Sequence, residues 1–374
     1  MKKTAIVLMS VSLVFMSGCW DMAEINERIF PYSVGIDLNP DEGERYIVTI
    51  SYPNIFAIGK NATQEERIYN VSSISSTMYE GIRQVNTRIP YPLYFKHLGT
   101  IVIGKTFAED QESMRKLVDS TNRDFTISKR VRVITAEHMA HDLLKSVPIA
   151  VKQEAIEGTL FNMLKGNKKT SRYIPQNLTR FLQEMDMGGV SIMPRAAFHG
   201  EDLKIFGGCV FKNFQFVGHL GELQNRAVAL MRGNIKETLV VAPFEDICIS
   251  YSVSSSKAKK QLEINEGDIK ITIHVETEGV LREYIYTDEV VEITPDILNE
   301  MEKAISKTLE EETKEVIRIL QKDFMADGLG IAEYLQKFHP KIWEEVSDDW
   351  EGIFPGITIE PVIDAKIRRM GLTG

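Results

Sequence analysis

Apolar residues along this chain switch repeatedly between alternation in twos and recurrence in threes and fours, so strands and helices are expected in mixed succession. Tyr32–Leu38 and Tyr46–Tyr52 read as strands, with Asn39-Pro-Asp-Glu-Gly43 as the turn between them. Ile74, Met78, Ile82, Val85 and Ile89 fall on one helical face. Gly99–Gly104 is a continuous apolar strand of the kind that sits centrally in a sheet. Residues 106–119 predict a helix, Val131–Thr135 a strand, and 137–145, 153–165 and 175–186 three more helices. After the break at Gly188-Gly189, residues 190–220 give three short strands, with a bulge expected at Gly207-Gly208. Gly221–Met231 is a short helix.

Further on, Ile247, Ile249, Tyr251 and Val253 alternate with Cys248, Ser250 and Ser252. The polar run 254–261 (SSSKAKKQ) reads as a hinge or the approach to a hairpin. Ile269, Ile271, Ile273 and Val275 alternate in a half-buried strand. Thr294-Pro295-Asp296 is a helix start, a cap followed by proline and an acid. Ile297, Met301, Ile305, Leu309, Val316, Leu320 and Phe324 then mark one face of a long helix. Helices at 330–338 and around Trp343–Trp350 follow, and Ile357–Arg369 closes the chain as a strand. The pattern predicts an α+β protein of several mixed α/β domains, divided as 19–189, a small mostly-β segment 190–261, and an α+β segment 262–374.

The first 18 residues stand apart. Met1-Lys2-Lys3 is positive, Thr4–Met16 is apolar and uncharged, and Ser17-Gly18-Cys19 ends it with small residues and a cysteine. That is the layout of a secretory signal. The apolar stretch is well short of the ~20 residues that cross a ~30 Å hydrocarbon core. Met16-Ser17-Gly18-Cys19 resembles a bacterial lipobox, with Met where Leu is commoner. Cys19 is therefore the expected site of diacylglyceryl attachment, through its thiolate, and residues 1–18 the cleaved leader.

The chain carries 44 Lys and Arg against 53 Asp and Glu, a net charge of −9, and removing the leader's two lysines makes it more acidic. This balance argues against nucleic acid as a partner. The two cysteines after Cys19, Cys209 and Cys248, lie in strand-like runs and read as reduced thiols.

Several motifs resemble chemistry and fail on context. Gly99-Thr-Ile-Val-Ile-Gly104-Lys105-Thr106 matches the phosphate-binding pattern G-x-x-x-x-G-K-[ST]. Its middle residues are β-branched and favour a strand, whereas phosphate needs a tight loop of converging N–H groups. Ser113-Met-Arg-Lys116 matches S-x-x-K without the companion motifs, and reads as a solvated helix face. His138 and His141 share a helix face without further metal ligands in view. Glu310-Glu311-Glu312 and Asp348-Asp349 read as solvated faces. No catalytic constellation, metal site or cofactor motif is assembled, so no enzyme activity is expected.

Three stretches carry a resemblance: Cys19-Trp-Asp-Met-Ala-Glu-Ile-Asn26; Gly207-Gly-Cys-Val-Phe-Lys212 with Phe216-Val-Gly-His-Leu220; and Trp350-Glu-Gly-Ile-Phe-Pro355 with Ile367-Arg-Arg-Met-Gly-Leu372. Together they resemble the C-subunit lipoproteins of spore germinant receptors, the Ger(x)C family. The resemblance implies three α/β domains and a lipid-anchored position on the outer face of the spore inner membrane. It implies work with A-type and B-type integral-membrane subunits to trigger germination by nutrients, the nutrient site lying with the transporter-like B-type partner. It brings no catalytic residue; only Cys19 transfers as a modified site. Trp20 and the Trp350–Pro355 segment are the candidate partner contacts. The alternative is a solute-binding lipoprotein of an ABC importer, which requires two lobes of mostly parallel sheet.

Overall fold

Two sheets organise the molecule, and each strand's pattern of burial explains its place. In the computed structural model the described residues are 27–41, 43–54, 68–124, 126–150, 159–165, 171–200, 202–235, 237–284 and 294–370. The first sheet runs β3-β2-β1-β4-β5-β6-β7-β8. Its strands are β1 (Ser33–Leu38), β2 (Tyr46–Pro53), β3 (Ile68–Ser75), β4 (Thr100–Ile103), β5 (Arg132–Ala136), β6 (Val190–His199), β7 (Asp202–Lys212) and β8 (Gln215–Leu220). β1, β4, β5 and β6 are parallel, and antiparallel hairpins flank them on both sides. All four residues of β4 are buried, as a strand covered on both faces requires.

Helices α1 (Met78–Asn86), α2 (Lys105–Glu109), α3 (Gln111–Arg123) and α6 (Leu178–Gly188) cover one face through Val85, Phe107, Met114, Leu117 and Phe181. Helices α4 (Ala140–Ala150) and α5 (Thr159–Lys165) cover the other face over β4 and β5 through Ala140, Leu144, Leu160 and Leu164. Further along that second face, β6, β7 and β8 present Val190, Ile192, Val210 and Leu220 to α7 (Glu222–Met231). The same core continues into the second sheet, order β12-β11-β10-β9, and its long helix. Those elements are β9 (Thr238–Phe244), β10 (Ile247–Asn265), β11 (Asp268–Tyr284), α8 (Pro295–Arg318, extended by a π turn Ile319–Asp323), α9 (Ile331–Phe338), α10 (Pro340–Val346), α11 (Trp350–Ile353) and β12 (Thr358–Met370). Helix α8 begins as its sequence dictates, the Thr294 hydroxyl accepting from the N–H of Ile297 and proline occupying the first turn. No helix among the described residues is long and apolar enough to cross a membrane.

Local expectations fare unevenly. Gly207 takes φ +52°, and Gly207-Gly208 together face Pro194, because Met193 opposes Cys209 and Arg195 opposes Phe206. This is the expected bulge, and it accommodates a proline inside β6. Ile74 is not on a helix; it is the penultimate residue of β3 with 48% of its surface exposed, and the helix starts after Thr77, whose side chain caps Glu80. The helix expected at 106–119 is two, because Asp110 is extended and its carboxylate caps the second at Ser113. The 254–261 run is no hinge but the approach to a hairpin, itself in strand: Ser255–Gln261 pair in register with Glu278–Thr272 of β11, and the turn follows at Asn265–Asp268. The boundary expected at 189/190 falls inside one sheet, since Thr135 and Ala136 of β5 pair with Arg195 and Ala196 of β6. The boundary expected at 261/262 falls within β10.

Candidate functional site

The motif residues are dispersed differently from their sequence reading. Cys19 and Trp20 lie outside the described residues. In the G-x-x-x-x-G-K-T match, Thr100–Ile103 form β4, Gly104 starts α2, and the Lys105 N–H donates to the His138 carbonyl at 2.8 Å. Ser113, expected on a solvated face, is fully buried and shares a 3.3 Å hydrogen bond with the Tyr46 hydroxyl; Lys116 is exposed and paired with Glu112 at 2.6 Å. His141 Nδ1 meets Ser72 Oγ at 2.9 Å and Thr49 Oγ1 at 3.1 Å, while His138 is exposed, so the two rings do not converge. Glu312, read as solvated, is half-buried and paired with Arg226; Asp348 and Asp349 are exposed. Trp350 is not a surface anchor. It is 5% exposed, packs edge-on against Trp343 at 5.7 Å and lies 5.9 Å from Phe354, itself 1% exposed.

Three residues that the sequence offered separately meet in one pocket. A cavity of about 500 Å³ opens beyond the carboxyl ends of β4 and β5, the end at which open α/β sheets receive ligands. Lys105 comes from α2, Thr135 and His138 from β5 and the turn after it, Arg195 from β6, Cys209 from β7 and His219 from β8. Cys209 Sγ lies 3.1 Å from Thr135 Oγ1 and 3.4 Å from His219 Nδ1. Burial pushes the Cys209 thiol up to about 11 and draws the His219 imidazole below its usual value. The pair is thus a neutral thiol beside a neutral imidazole, the reverse of an activated nucleophile. The Arg195 guanidinium covers the Phe206 ring at 4.5 Å and lies 3.8 Å from Glu137, with its buried Nε unpaired among the described residues. Cys209 and Cys248 are both free, one buried and one exposed.

A second polar centre joins the two sheets. Glu184 on α6 accepts from Arg232 at 3.0 Å, from Arg180 at 2.9 Å, from Gln176 at 2.8 Å and from Ser191 at 2.6 Å. Burial opposes its charge, but Arg232 and Arg180 outweigh it and hold the carboxyl below the usual range. Arg232 also donates from Nε to the Gly328 carbonyl at 2.8 Å, which ties the end of α7 to the loop before α9. Periodicity gives no signal for this centre, because its members are spread from residue 176 to 328. Asp37 does carry a sequence signal, as a lone charge inside the apolar run SVGIDL.

Comparison with known proteins follows the same span. The family model "Spore germination protein N-terminal domain" matches residues 21–197, and "Spore germination B3/ GerAC like, C-terminal" matches 206–371. Spore germination protein B3 of Bacillus subtilis (strain 168) is 22% identical over 98% of both chains. Spore germination protein KC of that strain is 22% identical over 98% of this chain and 95% of its own. Spore germination protein A3 is 22% identical over all of this chain and 99% of its own. The crystal structure of the GerBC protein has the same fold, with a TM-score of 0.62 over 90% of this chain and 96% of that one, at 19% identity. With the two models together matching most of its length, this chain belongs to the Ger(x)C family, the C subunits of spore germinant receptors.

Proposed function

We propose that this chain is the lipid-tethered C subunit of a nutrient-germinant receptor, held through Cys19 on the outer face of the spore inner membrane. It acts by assembly with A-type and B-type integral-membrane subunits and turns over no substrate. The observation that carries this reading is the placement of Cys19: it ends the apolar leader two residues before the first family match begins at residue 21. A diacylglyceryl group supplies two buried chains, enough for stable attachment at about 0.8 kcal/mol per CH₂. Confinement to the bilayer then raises the effective concentration of the chain beside its membrane partners. The neutral Cys209–His219 pair supports a binding role over a catalytic one. Coupling to a nutrient-induced change must come from contacts that differ between the partners' two states.

The test is affinity capture of the lipidated chain from spore inner membrane, with Cys19→Ala in parallel. Co-recovery of A- and B-type subunits, and release of the alanine variant from membranes with impaired germination, are expected. Recovery of the chain alone, or membrane attachment of Cys19→Ala as tight as wild type in a strain lacking the partners, overturns the reading.

A further inference from the structure

The cleft between α6 and α9 carries more positive charge than its own carboxylates can balance. It encloses about 620 Å³, within the range of small-molecule sites, and lies between the two sheets, where ligands commonly bind. Arg130, Arg180, Arg232, Lys260 and Lys337 line it, against Glu184, Asp327 and Glu333. Each carboxylate is already engaged. Glu184 is shared by Arg180 and Arg232. Asp327 accepts the backbone N–H groups of Leu329 at 3.2 Å, Ile331 at 3.1 Å and Ala332 at 2.7 Å, where α9 begins. Glu333 is paired with Lys337.

Two cations are left over. Arg130 is exposed, and its guanidinium forms no hydrogen bond or ion pair among the described residues, only its backbone N–H donating to Ser128 Oγ at 3.3 Å. Lys260, half-buried on β10, likewise has no partner there, and burial draws its pKa below the usual lysine value. The charges of Asp327 and Glu333 offset this burial only in part, with Arg232 opposing them, and the remaining cost falls when an anion arrives. The chain as a whole is strongly acidic, so this concentration of cations is local.

We propose that this cleft binds a small anion, a phosphate or dicarboxylate group, with Lys260 and Arg130 as its principal partners and Asn177 and Asn234 as neutral donors. Because α6 belongs to the first sheet and β10 to the second, the bound anion bridges both and stiffens their junction. The phosphate chemistry has two sources, a soluble phosphate or the headgroup of an anionic lipid.

Titration calorimetry on the full lipidated chain in detergent separates them. One arm uses inorganic phosphate and succinate; the other uses micelles doped with phosphatidylglycerol, against phosphatidylcholine. Saturable binding at one site per chain is expected, weakened at least tenfold in Lys260→Met, restored in Lys260→Arg, and accompanied by a raised unfolding temperature. Binding of the soluble anions assigns a free ligand, and binding of phosphatidylglycerol alone assigns a headgroup. An absence of saturable binding in both arms overturns the proposal. So does undiminished binding by a Lys260→Met chain whose circular dichroism matches wild type.

Discussion

Gly104 makes room for the carboxylate of Asp37: a Cβ at Gly104 would fall inside the van der Waals shell of Asp37 Oδ1. The second glycine of the phosphate-loop look-alike thus serves an anion, but one that belongs to the chain. Asp37, at the end of β1, accepts the N–H of Ala140 at 2.7 Å and of His141 at 2.9 Å and caps α4. Gly104→Ala should destabilise the protein by about 2 kcal/mol or more, since carboxylate and helix start cannot both keep their places. Urea unfolding checks this, with Lys105→Ala as the control expected to stay within about 0.5 kcal/mol of wild type.

Asp37 also sets a pH dependence. Burial raises its pKa from 3.8 to about 6, against the two amide donors that lower it. The folded chain therefore holds this proton more tightly than the unfolded chain. The group's contribution is full below its unfolded pKa and is lost as pH rises through about 6, by about 3 kcal/mol in all. Stability measured in steps across this window should fall for wild type relative to Asp37→Asn, which has no such proton to lose. Parallel curves for the two proteins would refute the assignment.

Glu184 acts in the opposite sense. Its pKa is held down in the folded chain, so its contribution is present above the ordinary carboxylate range and is lost as pH falls. Glu184→Ala strands two arginines, Arg232 being only 8% exposed, and should cost about 3–5 kcal/mol. Adding Arg232→Ala should cost less than its own single effect, because the charge it removes is already unpartnered. Strict additivity in the double-mutant cycle would place the two side chains in separate networks.

The thiols should differ in reactivity. Cys209 is 4% exposed with its pKa pushed up to about 11, whereas Cys248 is exposed. In a Cys19→Ala background, native protein at neutral pH should take up one equivalent of maleimide, at Cys248, and a second only on unfolding. Rapid labelling of both cysteines in the native state would contradict the buried Cys209–Thr135–His219 cluster.

Elements whose burial is local were legible in the sequence. Thr294-Pro295 announced α8, and the uniform apolar run of β4 announced a strand covered on both sides. The errors share a physical origin in partners distant along the chain. Lys257, Lys259 and Lys260 have weak strand preference alone, yet β11 supplies the hydrogen bonds that keep them extended. Ile74 looked helical because it stands four residues before Met78, although Thr77 intervenes as a cap. Trp350 between acidic residues looked like a surface anchor, and only Trp343 and Phe354 make it core. The pocket's Lys105, His138, Cys209 and His219 come from separate elements that only the sheet order unites.

β6 and β7 have different cores on their two faces: Ile192 and Val210 on one, Met193 and Phe211 on the other. The hairpin between these strands is also where the two family matches meet, the first ending at residue 197 and the second starting at 206. The consequence is indivisibility. A chain cut at that hairpin would leave β6 and β7 as raw edges and open both cores to water, so neither fragment should persist as a folded body, and the intact protein should melt in one transition. The family's two halves are then units of inheritance without being units of stability.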